Sequence, residues 1–262
     1  MMEIMKYEAR RRMRGTLILL VGIAAFSVLI LYLFPAIESA AGAIEELIAA
    51  YPESVREAFG IRSYASIGGF LATELYQFVW TLMLGLYFIY LAGGVVAKDV
   101  ETGRIDLLLA TPVSRKRVLV EKYCSILVPI VLLNIVMPLV VLGAAMAIGE
   151  SLSITNLILL HLVSIPYFMA TASLGLSLSV VFDRADVAQR GGLALLFMLF
   201  VVDAVTTGTD LEFLGVLSPT RYFDPTEILV DGTVDIGGTV ILLSVAIVLV
   251  ILTGEWFHRM DV

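Results

Sequence analysis

Residues able to do chemistry are few in this chain and far apart. His161 and His258 are its two histidines, and neither lies in an H-E-x-x-H pattern. A zinc hydrolase built on two helical histidines is therefore excluded. Ser177 shares an apolar stretch with His161, but 16 residues separate them. That is about 24 Å along a helix, too far for a nucleophile and its base. Cys124 is the single cysteine, which rules out an intrachain disulfide and a multi-cysteine metal site. No G-x-x-x-x-G-K-[ST] segment occurs, so nucleotide phosphates are not cradled by that route. What remains are polar groups set in apolar surroundings: Glu74 with Gln77 close by, Asn134, and Asp203. An ionisable group inside lipid is a functional candidate by default. Glu74 and Asp203 lie within about two helical turns of a span end, so they either line a substrate path or sit in hydrated interface. Asn134 is central, and its amide can lend a hydrogen bond to a neighbouring helix.

The elements that must position these groups are membrane spans. The 262 residues are 60% hydrophobic and 16% charged, with a mean hydropathy of +0.97. Soluble domains are about 45–50% apolar and about 25% charged. A span needs roughly 20 mostly apolar residues, which leaves no room for a separate soluble catalytic domain. Stretches free of Lys and Arg run over about 15–35, 68–97, 123–148, 155–181, 191–207 and 238–257. The reading is an all-α polytopic membrane protein, a single domain with six transmembrane helices. Segments 36–67 and 208–237 break the apolar pattern. The first stretch is longer than a signal-peptide core and reads as a retained span. Pro129, Pro138 and Pro166 fall inside spans and can kink them. Ala170, Ala172, Ser173, Gly175, Ser177 and Ser179 give the fourth span a small-residue surface suited to close helix packing.

Charge sets the expected orientation. The segments before the first span, between the second and third, between the fourth and fifth, and after the sixth share one side. They hold 14 of the 17 Lys and Arg residues. The bias toward basic cytoplasmic segments puts both termini in the cytoplasm. The opposite side carries twelve acids and only Arg56, Arg62 and Arg221. That acidity reads as adaptation to high salt or as a plain solvated face. The net charge of −7 argues against a nucleic-acid partner.

Between the spans, two segments carry pattern. Residues 3–14 place Met5, Ala9 and Met13 at i, i+4, i+8 among Lys6 and four arginines. This suits an N-terminal amphipathic helix on the inner membrane face, or a plain basic anchor for the first span. The 98–122 loop is richer. Ile105, Leu108 and Leu109 fall at i, i+3, i+4, so a short helix can present an apolar stripe. Pro112 biases Thr111 away from helix and ends it. Ser114 can then cap a second helix leading into the third span. This elbow is more apolar than a connector needs and suggests a docking surface for a cytoplasmic partner. The 182–190 loop is short and balanced in charge, and reads as a turn.

The elbow also resembles a known family. Glu101-Thr102-Gly103, then Leu107-Leu108-Leu109-Ala110-Thr111-Pro112-Val113-Ser114-Arg115, with Lys122 seven residues on, is similar to the first cytoplasmic loop of ABC-2-type permeases. Leu217-Ser218-Pro219 and Tyr222-Phe223-Asp224-Pro225 resemble that family's outer segment before the last span. Phe257-His258-Arg259-Met260-Asp261 is similar to its C-terminal ending, with Met260 where a second arginine is usual. The resemblance implies the transmembrane subunit of an ABC exporter, working as a permease dimer on cytoplasmic ATP-binding subunits. The first cytoplasmic loop would contain the coupling helix, with Glu101, Gly103, Arg104, Leu108, Thr111, Pro112 and Arg115 as its contact residues. ATP and Mg would sit on the partner chain, with no cofactor bound by this one. Other partners implied are a second permease copy and membrane lipids. Two further classes stay open on sequence: a secondary transporter with Glu74 or Asp203 as proton carrier, and a non-transporting membrane scaffold.

Overall fold

The structure, a computed structural model, describes residues 3–51, 56, 66–109 and 113–259. All regular structure among them is helical. Six helical segments are long and apolar enough to cross a membrane: Glu3–Ser39, Ile67–Glu101, Arg115–Ala147, Ile154–Val181, Ala185–Thr206 and Ile236–Arg259. They match the six expected stretches, but three of them reach well past the apolar run. The charged residues that flank a span are good helix formers, so the helix outruns the lipid-soluble part.

The first span, α1 (Glu3–Ser39), is one continuous helix. Residues 3–14 are thus its opening turns and not a separate element lying on the membrane. No proline interrupts them, and Lys, Arg, Glu and Met all favour helix. A short helix, α2 (Ala41–Ala49), follows. The second span is composite. α3 (Ile67–Leu71) starts at Ser66, whose hydroxyl accepts from the Gly69 amide at 3.1 Å. It opens into a π-helical stretch, Ala72–Met83, then tightens into α4 (Leu84–Gly93). Thr81 Oγ1 donates to the Tyr76 carbonyl five residues back at 2.8 Å, and the Tyr167 hydroxyl donates to the Thr81 carbonyl at 2.9 Å. Side-chain hydroxyls thus accompany the wide turn, a form that proteins use rarely and mostly at functional sites.

After the second span come α5 (Ala97–Glu101) and α6 (Arg104–Leu109). Gly103 joins them with φ +67°, a left-handed turn that only glycine adopts freely. α7 (Arg115–Ala147) begins at Ser114, whose hydroxyl accepts from Arg117 N at 3.4 Å. The expected short helix and capped re-entry are both present; Thr111 and Pro112 lie outside the described residues. α8 (Ile154–Val181), α9 (Ala185–Thr206) and α10 (Ile236–Arg259) complete the spans. α9 starts six residues before its apolar run, so the 182–190 loop shrinks to a tight turn.

The second and fourth spans form the centre. In each, 61% of the most apolar window is buried, against 22% in the fifth and sixth. α4 packs on α8, α1 on α7, α10 on α8 and α9 on α4. A side chain at Gly175 would strike the Ile89 carbonyl, so this glycine lets α8 and α4 touch backbone to backbone. Ala170, Ala172, Ser173 and Ser179 are buried on the same helix, as the small-residue pattern predicts. Pro129, Pro138 and Pro166 all lie within helices.

The 208–237 segment is not a loose connector. It folds into turns at Glu212–Leu217, Pro219–Tyr222 and Glu227–Asp231. Phe223, Ile228 and Leu229 enter the main core, and the Phe223 ring stacks on Tyr167 at 5.3 Å. Asn156 Nδ2 donates to the Leu229 carbonyl at 3.2 Å and ties the last of these turns to the start of α8.

Candidate functional site

The 98–122 segment sits in a knot of buried charge. Lys122 is 1% exposed, so its ammonium has lost its water and needs partners. It donates to Asp99 Oδ2 at 2.5 Å, to Glu8 Oε1 at 3.2 Å and to the Val95 carbonyl at 3.1 Å. The second oxygen of Glu8 meets Arg12 at 3.2 Å, and the second oxygen of Asp99 meets Arg104 at 3.6 Å. Arg12 also donates to the Ser125 hydroxyl. Acids and bases from α1, α5, α6 and α7 thus interlock, with every carboxylate oxygen of Glu8 and Asp99 facing a cation.

At three helix starts around this knot, side chains from neighbouring elements accept the opening amides. Glu121 on α7 accepts from the amides of Ile4 and Met5 at 3.1 and 3.3 Å, closing the first turn of α1. Arg117 holds that carboxylate from its other side at 2.8 Å. Ser179 on α8 accepts from Val96 N and Ala97 N at 2.8 and 2.9 Å, closing the start of α5. Glu101 accepts from Ala185 N at 3.2 Å, closing α9, whose own cap residue Arg184 makes no such bond. Orphan amides at a helix start carry partial positive charge, so carboxylates are apt partners there.

The residues expected to contact a partner divide accordingly. Glu101 and Arg104 are tied into the protein, Gly103 makes the turn, and Arg115 opens α7. Leu108 is half-buried. Ile105 is 1% exposed and belongs to the main core, so the apolar stripe turns at least this residue inward. A residue on a six-residue helix beside a larger core buries itself there first.

A second polar cluster lies in mid-span. Asn134 Nδ2 donates to the Ile130 carbonyl at 2.9 Å, which points its Oδ1 toward α8. That oxygen takes the Ser164 hydroxyl at 2.7 Å and His161 Nδ1 at 3.1 Å. Since Oδ1 only accepts, Nδ1 carries the proton and Nε2 accepts from the Tyr76 hydroxyl at 3.2 Å. Trp80 stands edge-on to His161, ring centres 4.7 Å apart, and its indole N–H has no partner among the described residues. Asn134 and His161 also edge a cavity of about 120 Å³ walled by Val131, Ile135, Ile158 and Leu162. Ser177 is bonded to Thr253 on α10 at 2.8 Å, a helix–helix contact.

Glu74 and Asp203 keep other company. Glu74 is half-buried in the first turn of the π-helical stretch. Asp203 accepts from Thr220 at 3.2 Å and faces Arg221 at 3.7 Å, while Arg221 also binds Glu212 at 2.6 Å. Sequence reasoning missed Glu8, Asp99 and Lys122 as one group, and His161 as the link between Tyr76 and Asn134. Glu8, an acid just before the arginine cluster at 10–14, was the available signal for the first.

The ABC-2 family transporter model matches residues 2–262. The chain belongs to the ABC-2 transporter family. Its six apolar helices, with that family, make it a multi-pass membrane protein. It is also similar to the uncharacterized protein YhcI of Bacillus subtilis (strain 168), with 26% identity over 147 residues. That match spans 50% of this chain and 46% of YhcI. Within an ABC-2 chain, the charge knot and the borrowed caps surround the segment that the family resemblance marks out.

Proposed function

We propose that this chain is the membrane-spanning subunit of an ATP-driven exporter. Its 98–122 segment faces the cytoplasm and receives force from a separate ATP-binding subunit, on which ATP and Mg reside. ABC-2 family members normally pair with such a subunit, and a second permease copy completes the pathway. The observation that supports this most is the fastening of the segment. Glu101 holds α9, Asp99 and Lys122 hold α1 and α7, and Ser179 holds α5 to α8. A push on α6 reaches α5 across the Arg104–Asp99 pair, and α5 is fastened directly or through Lys122 to α1, α7, α8 and α9. Basic flanks on this end support a cytoplasmic placement in the plasma membrane. Thr111, Pro112, Leu108 and Arg115 are the contact residues on this reading, and Glu74 and Asn134 are candidates for the pathway. Arg221 and Thr220 engage the Asp203 carboxylate, which counts against Asp203 as a proton carrier.

The test is co-purification of the tagged chain from native membrane in mild detergent, with partner identification and an ATPase assay. A stoichiometric nucleotide-binding subunit with vanadate-sensitive hydrolysis is expected. A chain that elutes alone and without ATPase, from membranes in which it is abundant, would overturn the proposal.

A further inference from the structure

Beside the charge knot lies a half-open cleft of about 210 Å³, lined by Glu8, Arg11 and Arg12 of α1, by Leu91, Gly94, Val95, Lys98 and Asp99, and by Gln189 of α9. Its electrostatics are lopsided. Both oxygens of Glu8 are taken by Lys122 and Arg12, and both of Asp99 by Lys122 and Arg104. The acids in the wall are thus already neutralised. Arg11 and Lys98 are exposed, line the same cleft, and have no ion-pair partner among the described residues. The cleft therefore carries surplus positive charge.

Its size and place narrow the occupant. Small-molecule pockets run from about 300 to 1,000 Å³, and a water takes about 30 Å³. A cleft of about 210 Å³ holds a phosphate with a small substituent and little more. It sits where the apolar stretch of the second span, which runs to Ala97, gives way to Lys98 and Asp99. That is headgroup level. Gln189 spends an amide N–H on the Tyr90 carbonyl at 3.2 Å, and Gly94 gives it room, since a Cβ there would lie 2.6 Å from Gln189 Nε2. The amide oxygen of Gln189 is left as an acceptor for a headgroup hydroxyl.

We infer that this cleft binds the phosphate of an anionic phospholipid, with Arg11 and Lys98 as its charge partners and Gln189 reading the headgroup. Basic pockets between spans are known to hold anionic headgroups. A lipid seated here touches α1, the end of the second span and α9 at once, against the root of the 98–122 segment. This binding needs no ATP-binding subunit, so its failure and that of the exporter reading are separable.

The experiment uses the full chain in nonionic detergent, titrated with short-chain phosphatidylglycerol, phosphatidylcholine and inorganic phosphate, and read by native mass spectrometry. Phosphatidylglycerol is expected to bind well ahead of phosphatidylcholine. Arg11→Gln with Lys98→Gln should weaken it by roughly fivefold for each base removed, from the worth of one base near anionic headgroups. Lys98→Gln alone should give half of that effect on a logarithmic scale. Arg10→Gln with Arg14→Gln removes equal charge from α1 outside the cleft and should leave binding unchanged. Equal losses in both double variants would mean a diffuse basic surface and overturn the site. Unchanged binding in the Arg11/Lys98 variant would overturn it too. Displacement of the lipid by millimolar inorganic phosphate would overturn the lipid as occupant.

Discussion

The two polar clusters of this protein solve the same problem in opposite ways. At the charged end, Glu8, Arg12, Asp99, Arg104 and Lys122 interlock as ion pairs. In mid-span, Tyr76, His161, Asn134 and Ser164 form a chain of neutral donors and acceptors. Where water is a turn away, ions can be enclosed if each finds its counter-ion. Where lipid surrounds the bundle, neutral partners avoid the larger desolvation penalty. The contrast teaches which cluster is brittle. Removing one member of the ionic knot strands a buried charge, whereas removing one member of the neutral chain strands a hydrogen-bonding group.

The largest expected effect follows from that. Lys122→Met leaves Glu8 and Asp99 buried without their shared ammonium and should destabilise the protein by about 3–5 kcal/mol. Thermal melting in detergent, followed by size-exclusion, reads this. Replacing Glu8, Arg12 and Asp99 by leucine in the same chain removes the stranded charges as well and should restore much of the loss, since Arg104 is exposed enough to do without Asp99. If the single variant melts with the wild type, the knot is not the brittle region. Next comes His161→Phe, which keeps the ring but orphans the Tyr76 hydroxyl and frees one acceptor site on Asn134. The loss should be about 0.6–2 kcal/mol, in the range measured for hydrogen bonds between membrane helices. Reversible unfolding in bicelles would show it, and raising the salt should move this variant less than Lys122→Met.

Glu101→Ala removes the borrowed cap of α9 and should cost about 1 kcal/mol. Insertion should stay normal, while ATP hydrolysis in the assembled transporter loses its dependence on substrate. Normal coupling would refute the proposed role of Glu101. The smallest expected effect is Glu121→Gln, which can still accept from Ile4 and Met5 but gives up the Arg117 ion pair and its charge at the helix start. A change of about 0.3–1 kcal/mol is expected, visible as faster amide exchange confined to the first turn of α1.

Much of the fold was legible because hydropathy runs along the chain. The six spans, the Ser114 cap and the small face of α8 all follow from neighbours in sequence. What stayed hidden joins residues far apart. Lys122 reads as one more basic residue of a loop until Glu8 and Asp99 come from two other helices to enclose it. The widened turn at Ala72–Met83 carries no glycine or proline to announce it; hydroxyl bonds from Tyr167 and Thr81 accompany it. The 208–237 segment reads from sequence as a break between spans because prolines and acids keep its apolar runs short. Phe223 nevertheless stacks on Tyr167 in the core. Of the site, the elbow was readable, but the inward turn of Ile105 was not, since periodicity marks a stripe without saying what covers it.

The borrowed cap on α1 has a bearing on biosynthesis. The amides of Ile4 and Met5 find their acceptor at Glu121, 117 and 116 residues further on. During translation the first span is threaded into the bilayer long before that carboxylate exists outside the ribosome. Its opening turn must stay hydrated and frayed through the birth of two more spans, and Glu8 must wait as long for Lys122. The opening turn of α1 is thus made well before it can be finished. Its closure can serve as a natural checkpoint that the third span has arrived beside the first.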